Sequence, residues 1–89
     1  MEERRAIVEG CTMNDEMLEE AVTTAVEAME KFDQNRDVAT YIKRQFDKKY
    51  NATWHCIVGR DYGSFISHEA EHFVDFRLGD RAVLLYRTC

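Results

Sequence analysis

Apolar and polar positions change their spacing twice along the 89-residue chain. Ala6-Ile7-Val8 is a short apolar run closed by Gly10, long enough for one brief strand whose place in a sheet the pattern leaves open. From Met17 onward Leu18, Ala21, Val22, Ala25, Val26, Met29 and Phe32 recur at helical spacing, which predicts a first amphipathic helix. Asn14 stands where its side chain can cap that helix, and Asp15, Glu16, Glu19 and Glu20 suit the positive end of its dipole. A polar stretch from Asp33 to Asn35 interrupts the period. Val38, Ala39, Ile42, Phe46 and Tyr50 then restart it as the single apolar stripe of a second helix. Lys48 and Lys49 fall in its last turn, where cations complement the dipole, and Asn51 suits a left-handed cap.

Beyond Asn51 the pattern becomes that of strands. Trp54 to Val58 is aromatic and β-branched, Asp61-Tyr62-Gly63 reads as a turn, and Phe65-Ile66 between serines reads as a second short strand. Phe73, Val74, Phe76 and Leu78 form a third, Gly79-Asp80 is a two-residue hairpin signal, and Ala82 to Tyr86 forms a fourth. Two helices followed by consecutive antiparallel strands predict an α+β fold, with the helices packed on the sheet. With no proline, repeat or low-complexity tract to mark a linker, residues 1–89 are expected to form a single domain.

Composition narrows the function classes. Apolar residues make up 45% and charged residues 33%, a globular balance, yet a domain this short buries only somewhat more than ~60% of its unfolded surface. Stability is therefore expected to need a supplement. No run approaches the ~18 apolar residues of a membrane span, and Met1-Glu2-Glu3-Arg4-Arg5 leads into no signal core, so the chain is expected to be soluble and to stay inside the cell, off the membrane. A net charge of −5 repels a phosphate backbone, and basic residues cluster only at Lys43-Arg44 and Lys48-Lys49, which argues against nucleic acid as a partner. Cys11, Cys56 and Cys89 are odd in number and widely spaced, which fits reduced thiols better than disulfides or structural zinc.

Two strings carry potential chemistry. His68-Glu69-Ala70-Glu71-His72 matches the pattern of zinc hydrolases, in which two histidines one helical turn apart hold the metal and the glutamate acts as base. That chemistry requires a helix, and the string lies between strand-like segments, so a polar connection is the simpler reading and a small zinc hydrolase using His68, Glu69 and His72 the alternative. His55 beside Cys56 forms no dyad if both lie on one strand, because neighbours there point to opposite faces. No catalytic residue, metal or cofactor is expected. Gly63-Ser64-Phe65-Ile66-Ser67, by contrast, alternates small polar and apolar side chains without charge. Such a strand can pair with a foreign one through its main chain, or it can be an ordinary internal strand.

The longer string decides between these. Phe46-Asp47-Lys48-Lys49-Tyr50-Asn51, Thr53-Trp54-His55-Cys56-Ile57-Val58-Gly59-Arg60, Tyr62-Gly63-Ser64, His68-Glu69 and His72-Phe73 together resemble the light-chain-eight class of dynein light chains. The likeness extends more weakly from Ala6 through both helices to Val83-Leu84-Leu85. It implies a strand-swapped two-fold homodimer in which Arg60 to Ser67 crosses to the partner's sheet, with His55, Phe65 and Ser67 at the dimer interface. It also implies two symmetric grooves that take extended motifs of dynein intermediate chains and other partners by strand addition. On that likeness Arg60, Asp61, Tyr62, Gly63, Ser64, Phe65, Ile66, Ser67 and His68 pair with the peptide, Phe73 lines the floor, and Asn35 and Arg36 offer the start of the second helix to a ligand glutamine. His55 matches an interface histidine whose protonation opposes pairing.

The sequence departs from that family at several points. Asp75 and Arg77 stand where tyrosines are usual in the groove floor, a possible ion pair on one strand face, and Glu9, Gly10, Ala52 and Glu71 are further departures. These place ligand choice apart from a general hub. They suggest a paralogue in the cytoplasm and cytoskeleton that serves a microtubule motor, with the axonemal dynein of a cilium or flagellum as one seat.

Overall fold

The structure, a computed structural model, describes residues 6–50, 53–60 and 72–88. Its elements run β1 (Ala6–Cys11), α1 (Asp15–Lys31), α2 (Asn35–Tyr50), β2 (Thr53–Gly59), β3 (His72–Leu78) and β4 (Arg81–Thr88). Every strand pairing is antiparallel and the sheet order is β1-β3-β4-β2. The expected α+β architecture of two helices on an antiparallel sheet is what forms. The place of the first strand, open in the sequence, is an edge beside β3. The expected strand at Phe65-Ile66 and the cap at Asn51 lie outside the described residues.

Local chemistry accounts for the helix ends. Asn14 adopts extended backbone and its side chain accepts a 2.9 Å hydrogen bond from the Met17 N–H, so one orphan donor of the first turn is satisfied as expected. The other end departs from the apolar spacing. Helix α1 stops at Lys31, and Phe32 turns to extended backbone while its N–H still donates to the Ala28 carbonyl. Its ring is 36% exposed and tilts against Tyr41 at 5.9 Å. Three residues past Lys31, the Gln34 carbonyl accepts from the Asp37 and Val38 N–H groups and starts α2.

The core lies between the helices and one face of the sheet. Ala21, Ala25 and Ala28 are fully buried on α1, and their small side chains let the helix approach closely. Val38, Ile42 and Phe46 form the buried stripe of α2. Alternation on the strands supplies Trp54 from β2, Val74, Phe76 and Leu78 from β3, and Val83 and Leu85 from β4. Phe46 meets Trp54 edge-on at 4.9 Å, and Tyr50 lies 5.1 Å from Phe46 and 6.1 Å from Trp54, so an aromatic trio locks α2 onto β2.

A polar tie reinforces the same junction. Asp47 accepts a 2.9 Å hydrogen bond from the Trp54 N–H through one oxygen and pairs with Lys43 through the other. The Lys43 hydrogen bond is the main reason the Asp47 carboxyl sits below its ordinary 3.8; partial burial opposes it and the Trp54 N–H assists. A carboxyl whose folded value is depressed adds stability above its unfolded value and loses it as acid protonates the group. Asp47→Asn is therefore expected to flatten the loss of stability seen by denaturant unfolding between about pH 5 and about pH 2. Phe46→Ala, which empties the centre of the trio, is expected to cost about 3–5 kcal/mol in the same measurement at neutral pH.

Candidate functional site

A four-stranded sheet has two faces, and the helices cover only one. Cross-strand register lays out the other in rows: His55, Tyr86 and Phe73; Ile57, Leu84 and Asp75; Gly59, Ala82, Arg77 and Ile7. Ala82 and Leu84 are nearly inaccessible although they lie outside the helix-covered core cluster. Ile57 is 47% exposed and Ile7 63% exposed. The His55 ring stacks on Tyr86 at 5.2 Å and 25°. Toward β2 and β4 this face is apolar and aromatic; toward β1 and β3 it carries charge.

The charged half is shaped by an irregularity in β1. Val8 pairs with Phe76 and Gly10 with Asp75, so the register slips by one residue and Glu9 becomes the extra residue of a bulge. Arg77 Nε donates to Glu9 Oε1 at 2.8 Å. Gly10 lies against the Phe73 ring, where an added Cβ would come within 3.3 Å of Cε2. Phe73 is fixed through both main-chain groups: its N–H donates to Thr12 Oγ1 at 3.0 Å and its carbonyl accepts from the Thr12 N–H at 2.9 Å. Arg77, whose side by side spacing with Asp75 suggested an ion pair, takes Glu9 as a partner. Only the pairing of β1 with β3 brings that residue within reach.

The expected site residues divide accordingly. Arg60 lies 3.6 Å from Asp80 in the β3–β4 turn, and Arg81 Nη2 donates at 3.2 Å to the Asp33 carbonyl just ahead of Asn35 and Arg36. Arg60, Asn35, Arg36 and Arg77 therefore gather toward the turn end of the sheet, whereas Phe73 and His55 stand at the other. Asp61, Tyr62, Gly63, Ser64, Phe65, Ile66, Ser67 and His68 lie outside the described residues. Thr12, which holds Phe73, carried no signal in the sequence, because its role depends on a strand contact far along the chain. His72 opens β3, so the second histidine of the zinc-like string is on a strand, while His68 and Glu69 lie outside the described residues. A histidine pair on one helix face is thus not formed, and the zinc-hydrolase alternative has no support. Among the described residues no cluster of three or more histidine, cysteine or acidic side chains is placed to hold a metal. No helix among them is long and apolar enough to cross a membrane.

Comparison with known proteins identifies the frame. A family model described as dynein light chain type 1 matches residues 5–88. The dynein light chain-like domain of the Fasciola hepatica calcium binding protein FhCaBP2 superposes in its native crystal with a TM-score of 0.84 at 27% identity, covering 99% of this chain and 95% of that one. Its mercury derivative gives a TM-score of 0.80 at 28% identity over 94% and 92% of the two chains. The dynein light chain-like domain of CsTAL3, at 17% identity and a TM-score of 0.80 over 93% and 92%, shares the fold. Fold and helix-free face thus define a dynein light chain-like domain. The chain belongs to the dynein light chain family, whose members are generally non-catalytic light chains that bind protein partners and are associated with the cytoskeleton.

Its thiols fit a binding protein. Cys56 packs against the core, and burial pushes its thiol up from 9.0 to about 12. At about pH 8 only roughly one molecule in ten thousand would carry the thiolate. A variant retaining Cys56 and lacking Cys11 and Cys89 is expected to resist iodoacetamide while folded and to be alkylated once unfolded, as read by mass spectrometry.

Proposed function

We propose that this chain is a non-catalytic dynein light chain that acts as a two-fold homodimer and clasps extended segments of partner proteins by β-strand addition. The observation that carries the reading is the edge position of β2. Among the described residues β2 is the last strand on its side of the sheet, with Ile57 exposed on the helix-free face.

On this reading Arg60 to Ser67 crosses to a second copy and completes its β2 edge, and the two helix-free faces meet around His55, Phe65 and Ser67. The added surface supplements a core of limited size. Each crossed strand then presents its free side to a ligand segment, with Tyr62, Gly63, Ser64, Phe65, Ile66, Ser67 and His68 along the main chain, Phe73, Asp75 and Arg77 as floor, and Asn35, Arg36, Arg60 and Asp61 at the helix end. Main-chain pairing supplies sequence-tolerant affinity, side-chain pockets supply selectivity, and two grooves supply avidity for a paired partner. The partners are dynein intermediate chains and other proteins with linear motifs, in the cytoplasm or at the axoneme.

Titration of a fluorescent peptide bearing a threonine-glutamine-threonine core, alongside an intermediate-chain segment, tests the clasp; saturable binding of at least one is expected, and failure of both removes strand addition. The dimer has its own test. Sedimentation of the wild type is expected to give twice the chain mass, and His55→Lys, which forces a charge into the interface, is expected to give monomers that remain folded by circular dichroism. A wild-type monomer would remove the crossed strand.

A further inference from the structure

The two helices begin differently. Asn14 caps α1 with its side chain, whereas among the described residues no side chain caps α2, whose first turn is closed by the Gln34 carbonyl. A helix start without a capping side chain leaves amides to be satisfied elsewhere and frays unless something outside the helix holds it. Here the hold comes from the sheet. Leu78 pairs with Arg81 across the Gly79-Asp80 turn, and Leu78 is buried in the core, so the stem of this hairpin is fixed. Arg81 shares the alternation of Val83 and Leu85 and therefore points to the helix side, where its Nη2 donates at 3.2 Å to the Asp33 carbonyl.

We infer that Arg81 is a positioning residue for partner segments: from the β3–β4 hairpin it holds the start of α2, and thereby sets how well the groove selects a segment that offers a hydrogen-bonding side chain to Asn35 and Arg36. This rests on the strand-addition reading above. Stability alone accounts poorly for the residue. The guanidinium is half-buried, and its Nη1 is buried with no hydrogen-bond partner among the described residues. Desolvating that donor offsets much of what the bond from Nη2 contributes. What the bond does supply is direction, because the planar guanidinium fork fixes where the Asp33 carbonyl lies relative to the sheet. Asp33 lies just ahead of Asn35, so the same tie places the N–H groups of Asn35 and Arg36 relative to β3, which carries Phe73 and Arg77. A ligand side chain gains most from those N–H groups when they are held in place before it arrives, at a set distance from the main chain that carries it.

The test uses the full chain as wild type, Arg81→Met and Arg81→Lys. Methionine keeps an apolar stem and removes the donors, and lysine restores a donor. In the ligand-free protein, amide exchange at Asp37 and Val38, whose N–H groups bond to Gln34, is expected to quicken about three- to tenfold in Arg81→Met while the β2 amides keep their rates. Arg81→Lys is expected to recover part of the protection. Two fluorescent peptides then read selection, one with the threonine-glutamine-threonine core and one with alanine in place of the glutamine. The wild type is expected to favour the glutamine peptide, and Arg81→Met to lose about three- to tenfold of that preference while binding the alanine peptide within about twofold of the wild type. Exchange that is unchanged or quickens equally in β2, equal weakening of both peptides, or a wild type without the preference would overturn the positioning role and leave strand addition intact. If the wild type binds neither peptide the positioning role also falls, and if the intermediate-chain segment fails as well, strand addition falls with it.

Discussion

A twisted sheet must hide at least one face, and the described residues hold helix enough for one only. Two helices supply a layer that seats Ala21, Ala25, Ala28, Val38, Ile42 and Phe46 against Trp54, Val74, Phe76, Val83 and Leu85. The contact between α2 and β2 is the firmest part of that layer, since three aromatic rings and the Asp47 bond to the Trp54 N–H converge there. Because alternate residues of every strand turn away from the helices, the same packing that makes the core also fixes what the second face displays. His55 is aimed at Tyr86, and Phe73, Asp75 and Arg77 share one line, as consequences of Trp54 and Phe76 pointing inward.

The two edges of the sheet differ in character. At β1 a bulge and an ion pair disrupt the regularity that a foreign strand would need, a common way of protecting an edge. At β2 the strand pairs regularly with β4 from Thr53 to Gly59 and shows no bulge. A regular edge beside a partly apolar face is a template for pairing, which is why the proposed crossing of a second copy is assigned to that side. Irregularity and regularity thus fall at opposite edges of one sheet.

Sequence strings that suggest chemistry are separated by the backbone they fall on. The pattern His68-Glu69-Ala70-Glu71-His72 needs a helix to bring its ends to one face, and β3 begins at His72. Cys56 next to His55 is turned toward the core while His55 is turned away, and burial holds the thiol protonated. At His55 and Cys56 the alternating backbone parts side chains that the sequence sets next to each other.

Spacing of residue types alone determined the two helices, the Asn14 cap, the Gly79-Asp80 turn and the existence of all four described strands, because these depend on periods and end chemistry within a few residues. The family was also legible there, carried by the run from Phe46 to Arg60. Tertiary structure decided which neighbour each strand takes. The edge position of β1, the end of α1 before Phe32, the hold of Thr12 on Phe73 and the meeting of Glu9 with Arg77 all join residues far apart in the chain or depend on what lies across the fold. A period shows which face a residue belongs to, but strand order and register decide whom it meets there, and those are set only when the whole sheet is assembled.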